Sequence, residues 1–136
     1  AVESAKFGLP EVKRGIFPFQ VMATLEPLMS ARQLLDLCIR AKTLSAQEAK
    51  EIGIVTDIVR EEDLEDTVQK LIEDIKEQSP TAIRLGLKAF QEMKSKAAED
   101  KHKYLHAMLM QCLQSKDAAE GLLAFKEKRK ANWTGN

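Results

Sequence analysis

Apolar residues recur at three- and four-residue intervals through most of the chain after residue 18, and this spacing predicts a succession of amphipathic helices. Pro27 ends the first of them, the short run from Phe19 to Leu25, because proline cannot donate a hydrogen bond inside a helix and disfavours helix in the residue before it. The later stripes contain Leu34, Leu37, Cys38 and Ala41; Val68, Leu71 and Ile75; Ile83, Leu87 and Phe90; Leu105, Met108 and Leu109; and Ala118, Leu122 and Phe125. The pattern therefore predicts a mainly helical chain.

Serine residues mark the starts of several of these helices. Ser30, Ser45 and Ser79 each precede a helical stripe, where a serine hydroxyl can accept a hydrogen bond from the first turn. Ser45 and Glu48 have the spacing of a capping box, in which each side chain binds the other residue's backbone N–H. Pro80 follows Ser79 and suits a first helical position. Three helix starts are thus predicted from local sequence.

Strand signals are few. Ala5 to Phe7 and the β-branched run from Val55 to Arg60 are the two candidates. Two isolated short strands are marginal in water, so they call for partners that this chain does not supply. Because Ala1 is also not a methionine, we expect the chain to begin inside a larger fold.

Composition limits the class of protein. The chain has 136 residues, enough for one domain, and 21 basic residues balance 21 acidic ones. No global charge therefore attracts nucleic acid or an anionic membrane, and no apolar run approaches the roughly 20 residues that span a bilayer. The sequence predicts a soluble protein without nucleic-acid or membrane partners.

Cysteine and histidine positions bear on redox state and metals. Cys38 and Cys112 lie on apolar helix faces without paired spacing, which indicates buried free thiols in a reducing compartment, here the cytoplasm. His102 and His106 are four residues apart and could share a metal, but no third ligand is apparent. We expect no metal site.

One carboxylate stands out. Glu11 follows Pro10, and apolar side chains nearby in the sequence could partly remove water from it, namely Leu9, Val12, Ile16, Phe17 and Phe19. A desolvated carboxylate suits proton transfer, whereas a solvated one near a turn would have no chemical role. The residues alone leave both possibilities open.

Residues 5 to 18 read Ala-Lys-Phe-Gly-Leu-Pro-Glu-Val-Lys-Arg-Gly-Ile-Phe-Pro, and this stretch resembles the second half of an enoyl-CoA hydratase/isomerase (crotonase-type) active site. Further matches follow in order at 44–49, 53–55, 115–118, 121–125 and 127–130. The resemblance implies an α/β crotonase-like (ClpP/crotonase) fold, of which the chain holds the mainly α-helical C-terminal half with one or two short strands. Residues 1–60 would end the spiral core and carry the active-site loop, and residues 61–136 would form a helical oligomerisation region.

The resemblance also implies roles for individual residues. Glu11 would be the catalytic acid/base, working in hydratases with a second glutamate in the other half of the domain, where backbone N–H groups would stabilise the enolate. Phe17, Pro18, Leu109 and Lys128 would contact the acyl chain or coenzyme A. No cofactor is implied beyond the coenzyme A that forms part of the thioester substrate, and intact members would be homo-oligomers, trimers or hexamers.

The loop after Gly15 departs from the family pattern. Many hydratases have a Gly-rich turn after the proline of this loop, whereas this chain has Phe17-Pro18-Phe19-Gln20-Val21-Met22. Bulky side chains there would narrow or redirect the acyl pocket. Two functions follow: part of an acyl-CoA hydratase or isomerase that is inactive alone, or a non-catalytic crotonase-like module for binding or assembly.

Overall fold

The computed structural model describes all 136 residues. Contacts divide the chain into two compact units, residues Ala1–Gln69 and Lys70–Asn136. The elements are strands β1 (Lys6–Gly8) and β2 (Thr43–Ser45), and helices α1 (Phe19–Leu25), α2 (Ala31–Arg40), α3 (Ala46–Glu51), α4 (Leu64–Lys76), α5 (Pro80–Met93), α6 (Ala98–Leu113) and α7 (Lys116–Glu127). Short 3-10 turns cover Glu11–Arg14, Glu26–Leu28 and Glu61–Asp63. The predicted helical character is confirmed.

The sheet of the first unit is small and differs from the prediction in one strand. β1 and β2 pair antiparallel, with Phe7 opposite Leu44, so the strand predicted near Ala5–Phe7 is confirmed. The strand predicted at Val55–Arg60 is wrong: it forms only one parallel bridge, between Val59 and Val2. β-branched residues favour extended backbone, but a strand also needs a partner along its length. β2 was missed because its three residues run directly into a helix.

A compact apolar cluster holds the first unit together. Leu9, Leu34, Leu37 and Cys38 are buried in contact with one another, so the stripe predicted for α2 is confirmed for its three helical members. Ala41, also predicted on the stripe, is buried but follows the last residue of α2. Partly buried side chains pack around it, namely Phe17, Met22, Leu25, Met29, Leu44 and Ile54. The cluster thereby joins α2 to the segment that follows β1.

Local capping defines the helix starts as predicted. Ser30 and Ser45 each form a complete capping box, with Gln33 and Glu48 respectively. Ser79 Oγ accepts from the Ala82 N–H at 3.1 Å, and Pro80 occupies the first helical position of α5. These bonds satisfy backbone donors that a helix start otherwise leaves free.

The second unit contains the hairpin of α5 and α6 and the packed helix α7. Thr81, Ala89, Asp117 and Ala124 are its buried residues. Most of the apolar stripe residues stay on the surface of the described chain, and Phe125 is 85% exposed. The helical pattern predicted from sequence therefore forms, while much of its apolar face lies uncovered.

Both cysteines are free, but they differ in burial. Cys38 is buried as expected, whereas Cys112 is only partly buried, so the expectation of two buried thiols is wrong for Cys112. Cys112 lies on α6, and other apolar side chains of that helix, such as Leu109, are exposed. No helix combines the length and apolar character needed to cross a membrane. No three His, Cys, Asp or Glu side chains come together in a metal-binding group.

Candidate active site

Glu11 begins a 3-10 turn that follows β1 directly. The turn spans Glu11–Arg14 and ends at Gly15, which adopts the left-handed conformation at φ 75°. The Ile16 N–H then donates to the Glu11 carbonyl at 3.2 Å, which closes the loop on itself. Because Leu9 is buried two residues earlier, the turn is attached to the apolar cluster of the first unit. This short, closed loop fixes the backbone that carries the Glu11 side chain.

The environment of the Glu11 carboxylate is uneven. Its Oε2 atom is buried and has no hydrogen-bond partner. Leu9 is buried, and Val12 and Phe17 are half-buried, as the desolvation hypothesis requires. The hypothesis is wrong for Ile16 and Phe19, whose side chains are 60% and 68% exposed. A buried carboxylate oxygen without a donor is costly, and such groups in folded proteins call for an explanation such as catalysis or a bound ligand atom.

Cys38 is a neighbour of Glu11 that sequence reasoning did not connect with the site. Helix α2 packs against the 3-10 turn that carries Glu11. Burial raises the pKa of the Cys38 thiol, and the nearby negative charge of Glu11 raises it further. The thiol is therefore neutral at physiological pH and provides at most a weak donor. Only the packing of α2 on the turn reveals this proximity.

Phe17 and Pro18 lie in the loop between Gly15 and α1. Phe17 is half-buried against the apolar cluster, and its ring centroid is 5.1 Å from that of Phe19. Pro18 is buried and precedes the first residue of α1. Phe19 is 68% exposed, so of the two rings only Phe17 contributes to the core. The structure thus gathers Glu11, Phe17 and Pro18 in one loop region of the first unit.

Leu109 and Lys128 belong to the second unit. Leu109 lies on α6 and is 54% exposed. Lys128 is the residue that ends α7, and it adopts a left-handed backbone conformation at φ 54° and ψ 40°. Both side chains are open to solvent in the described chain. Their predicted contact with coenzyme A stays a prediction.

Lys126, Lys128, Arg129 and Lys130 form a basic run at the end of α7, and these residues differ in their ion pairs. Arg129 Nη1 lies 2.6 Å from Glu120 Oε1, and Arg129 Nε lies 2.7 Å from Glu127 Oε2. Lys130 Nζ lies 2.8 Å from Glu77 Oε1. Lys128 forms no ion pair in the structure. The four cations are therefore not equally solvated. Which of them has an ion pair depends partly on Glu77, which is 53 residues from Lys130 in the sequence.

An apolar groove of about 880 Å³ lies in the second unit, and none of the site residues predicted from sequence lines it. Its walls come from the end of α4, the first half of α5 and the C-terminal segment. Its lining includes the apolar side chains of Ile83, Leu87 and Trp133 and the cationic side chain of Arg84. No sequence signal pointed to this groove, because Trp133 reaches it only through long-range folding.

The comparisons with solved structures define the class of fold. An enoyl-CoA hydratase from Bacillus anthracis is 31% identical and superposes with a TM-score of 0.93, covering 100% of this chain and 53% of that one. One from Mycobacterium tuberculosis H37Rv is 27% identical, with a TM-score of 0.91 and coverage of 100% and 54%. The chain thus has the crotonase-like fold that the sequence predicted.

The family follows from the sequence match. The family model described as Enoyl-CoA hydratase/isomerase matches residues 1–136, and the chain belongs to this family. A carnitinyl-CoA dehydratase of Salmonella paratyphi A is 30% identical over 138 residues, which cover 98% of this chain and 53% of the relative. The chain thus spans about half the length of the curated relatives it matches.

Proposed function

We propose that this chain supplies the Glu11 half of an acyl-CoA hydratase or isomerase site. The observation that carries the proposal is the buried Oε2 atom of Glu11, which has no partner in a closed loop next to the apolar cluster. A carboxylate so placed can exchange a proton with a bound molecule without first breaking a hydrogen bond at that atom. Membership of a family of acyl-CoA enzymes supports a thioester as that molecule.

In the proposed hydration, a water molecule adds across the α,β double bond of the thioester. Glu11, with the second glutamate expected elsewhere in the domain, would hold the water and accept its proton as the oxygen bonds to Cβ. A proton is then delivered to Cα, so water is added in full. Dehydration is the same reaction in reverse, and relatives named carnitinyl-CoA dehydratase catalyse a reaction of that type. In an isomerase, one carboxylate would move the proton between two carbons.

The substrate would be anchored by residues outside the reacting centre. Phe17 and Pro18 lie in the loop after Glu11, and we propose that they contact the acyl part of the thioester. Leu109 and Lys128 are proposed to contact coenzyme A, with the Lys128 ammonium near a phosphate. No further cofactor is proposed. Because the enolate-stabilising N–H groups are expected in the half of the relatives that this chain does not match, we expect no turnover from this chain alone.

Homo-oligomer formation is the accompanying proposal. Leu109, Leu122 and Phe125 are each more than half exposed, and large exposed apolar patches are typical of interfaces. We expect the contacts to lie near these three residues, Leu105 and Met108. Light scattering at micromolar concentration should therefore show an oligomer, whereas a monodisperse monomer would contradict the proposal.

The decisive experiment is the substitution Glu11→Gln in the protein that carries this chain together with the remainder of the family domain. The glutamine keeps the shape of the side chain but cannot exchange a proton at neutral pH. We expect kcat with a short enoyl-CoA to fall about 10²- to 10⁴-fold, with KM little changed. Glu26→Gln is the matched control, because Glu26 is exposed. A near-normal kcat for Glu11→Gln would exclude Glu11 from the mechanism and favour the non-catalytic binding or assembly module.

A further inference from the structure

Lys128 has a backbone conformation that lysine rarely adopts. Only two residues other than glycine have positive φ in this structure, Ala41 at 47° and Lys128 at 54°. Each ends a helix, α2 and α7 respectively, at a place where glycine is the usual residue because a side chain is strained there. A strained residue persists only when its surroundings hold it in place, and such residues cluster at functional sites.

The contacts that hold Lys128 come from the next residue. The Arg129 guanidinium donates two parallel hydrogen bonds to the Glu120 carboxylate, from Nη1 to Oε1 at 2.6 Å and from Nη2 to Oε2 at 2.9 Å. Its Nε also donates to Glu127 at 2.7 Å, and its backbone N–H donates to the Ala124 carbonyl at 3.0 Å. Arg129 is thereby tied back onto the helix that has just ended. The chain must reverse at Lys128 to allow this.

The same bonds decide which cations have acidic partners. Glu120 and Glu127, the acids nearest along α7, are both engaged by Arg129. Glu77 is engaged by Lys130. Lys128 is left without an ion pair although it is surrounded in sequence by charged residues. An ammonium without an ion pair is suited to an external anion, since it has no carboxylate to leave first.

We propose that Glu120 and Arg129 are positioning residues, which hold Lys128 in its left-handed conformation with its ammonium unpaired for an anionic ligand group. This inference rests on the proposed function, which identifies that group as a phosphate of coenzyme A. Neither Glu120 nor Arg129 touches the ligand in this arrangement. Their effect on binding passes through Lys128, which distinguishes them from residues that attract the phosphate themselves.

The first test is a thermal double-mutant cycle that needs no ligand. Lys128→Gly should raise Tm by about 3 to 5 °C, because glycine adopts positive φ without strain. In a Glu120→Gln background this gain should disappear, since Lys128 is then free to leave the strained conformation. Ala41→Gly is the matched control, and its gain should be the same in both backgrounds. Additive effects of Lys128→Gly and Glu120→Gln would overturn the inference.

The second test measures binding of free coenzyme A by calorimetry. We expect Lys128→Ala and Glu120→Gln each to weaken binding about fivefold, and the double variant to be no weaker than either. Arg129→Lys should resemble Glu120→Gln, because lysine cannot form the two parallel bonds. Lys126→Ala should have a smaller effect. If Lys128→Ala leaves binding unchanged, or coenzyme A does not bind, the anchoring role in the proposed function is wrong. The thermal cycle still decides whether Glu120 and Arg129 position Lys128. Additive losses in the double variant would contradict the positioning role itself.

Discussion

Gly86 and Gly121 provide a matched pair for testing how the C-terminal segment is packed. Each lies inside a helix, Gly86 in α5 and Gly121 in α7. A methyl group at Gly86 would meet no atom within 4 Å. One at Gly121 would lie 3.2 Å and 3.3 Å from two carbons of the Trp133 ring. The same substitution therefore tests open space in one helix and a close contact in the other.

The expected magnitudes follow from two opposing effects. Alanine is favoured over glycine inside a helix by about 1 kcal/mol, so Gly86→Ala should stabilise the chain by about 0.5 to 1 kcal/mol. At Gly121 the gain is opposed by displacement of Trp133, whose indole N–H donates to the Glu77 carbonyl at 2.8 Å. Overpacking typically costs about 1 to 3 kcal/mol, and a lost hydrogen bond about 1 kcal/mol. We therefore expect Gly121→Ala to be neutral or to destabilise by up to about 3 kcal/mol.

Urea unfolding followed by circular dichroism at the helix band measures both variants. Trp133 is the only tryptophan, so its fluorescence reports separately on the displaced ring. In a Trp133→Ala background, Gly121→Ala should regain the stabilisation seen for Gly86→Ala, because the opposing contact is gone. Equal stabilisation by the two substitutions in the wild-type background would refute the packing of Trp133 on α7.

Two further predictions concern pH and helix capping. Arg129, with a further hydrogen bond from the Asn132 N–H, holds the pKa of Glu120 at about 2, against an ordinary 4.5. Because the pKa of Glu120 is lower in the folded state, its ionised carboxylate stabilises the fold fully above about pH 4.5, and this stabilisation is lost as pH falls toward 2. Tm measured against pH should therefore decline in that range, and the decline should be smaller in Glu120→Gln. Ser45→Ala removes the α3 capping box and should lower the free energy of unfolding, measured in urea, by about 1 kcal/mol. Ser4→Ala is the control at an exposed position before β1 and should lower it little. Equal losses of stability in the two variants would contradict the capping role.

Asp117 shows how tertiary contacts create a role that local sequence does not reveal. It is 1% exposed, and its carboxylate accepts bonds from Ser79 Oγ at 3.0 Å and from the backbone N–H groups of Thr81, Thr134 and Gly135. Burial opposes its charge, but these bonds outweigh burial and hold its pKa below the ordinary value. In the sequence, Asp117 reads only as an acid in the first turn of a helix. Its bond to Ser79 spans 38 residues.

The sequence by itself determined the helical character, the starts at Ser30, Ser45 and Ser79, and the resemblance that the family match confirmed. These features depend on interactions within about four residues or on motifs read in order, so no knowledge of the fold is needed. It failed at Val55–Arg60, where β-branched residues predicted a strand but pairing allowed only one bridge.

Only the tertiary structure decided the state of the charged groups. One carboxylate oxygen of Glu11 is buried without a hydrogen-bond partner, and the Glu11 charge acts on the nearby Cys38 thiol. Arg129 forms ion pairs with the nearby acids, whereas Lys128 forms none. The physical reason is that desolvation and ion pairing depend on distances between side chains from separate segments. A sequence shows which groups can ionise, whereas folding sets which of them meet a partner, water or neither.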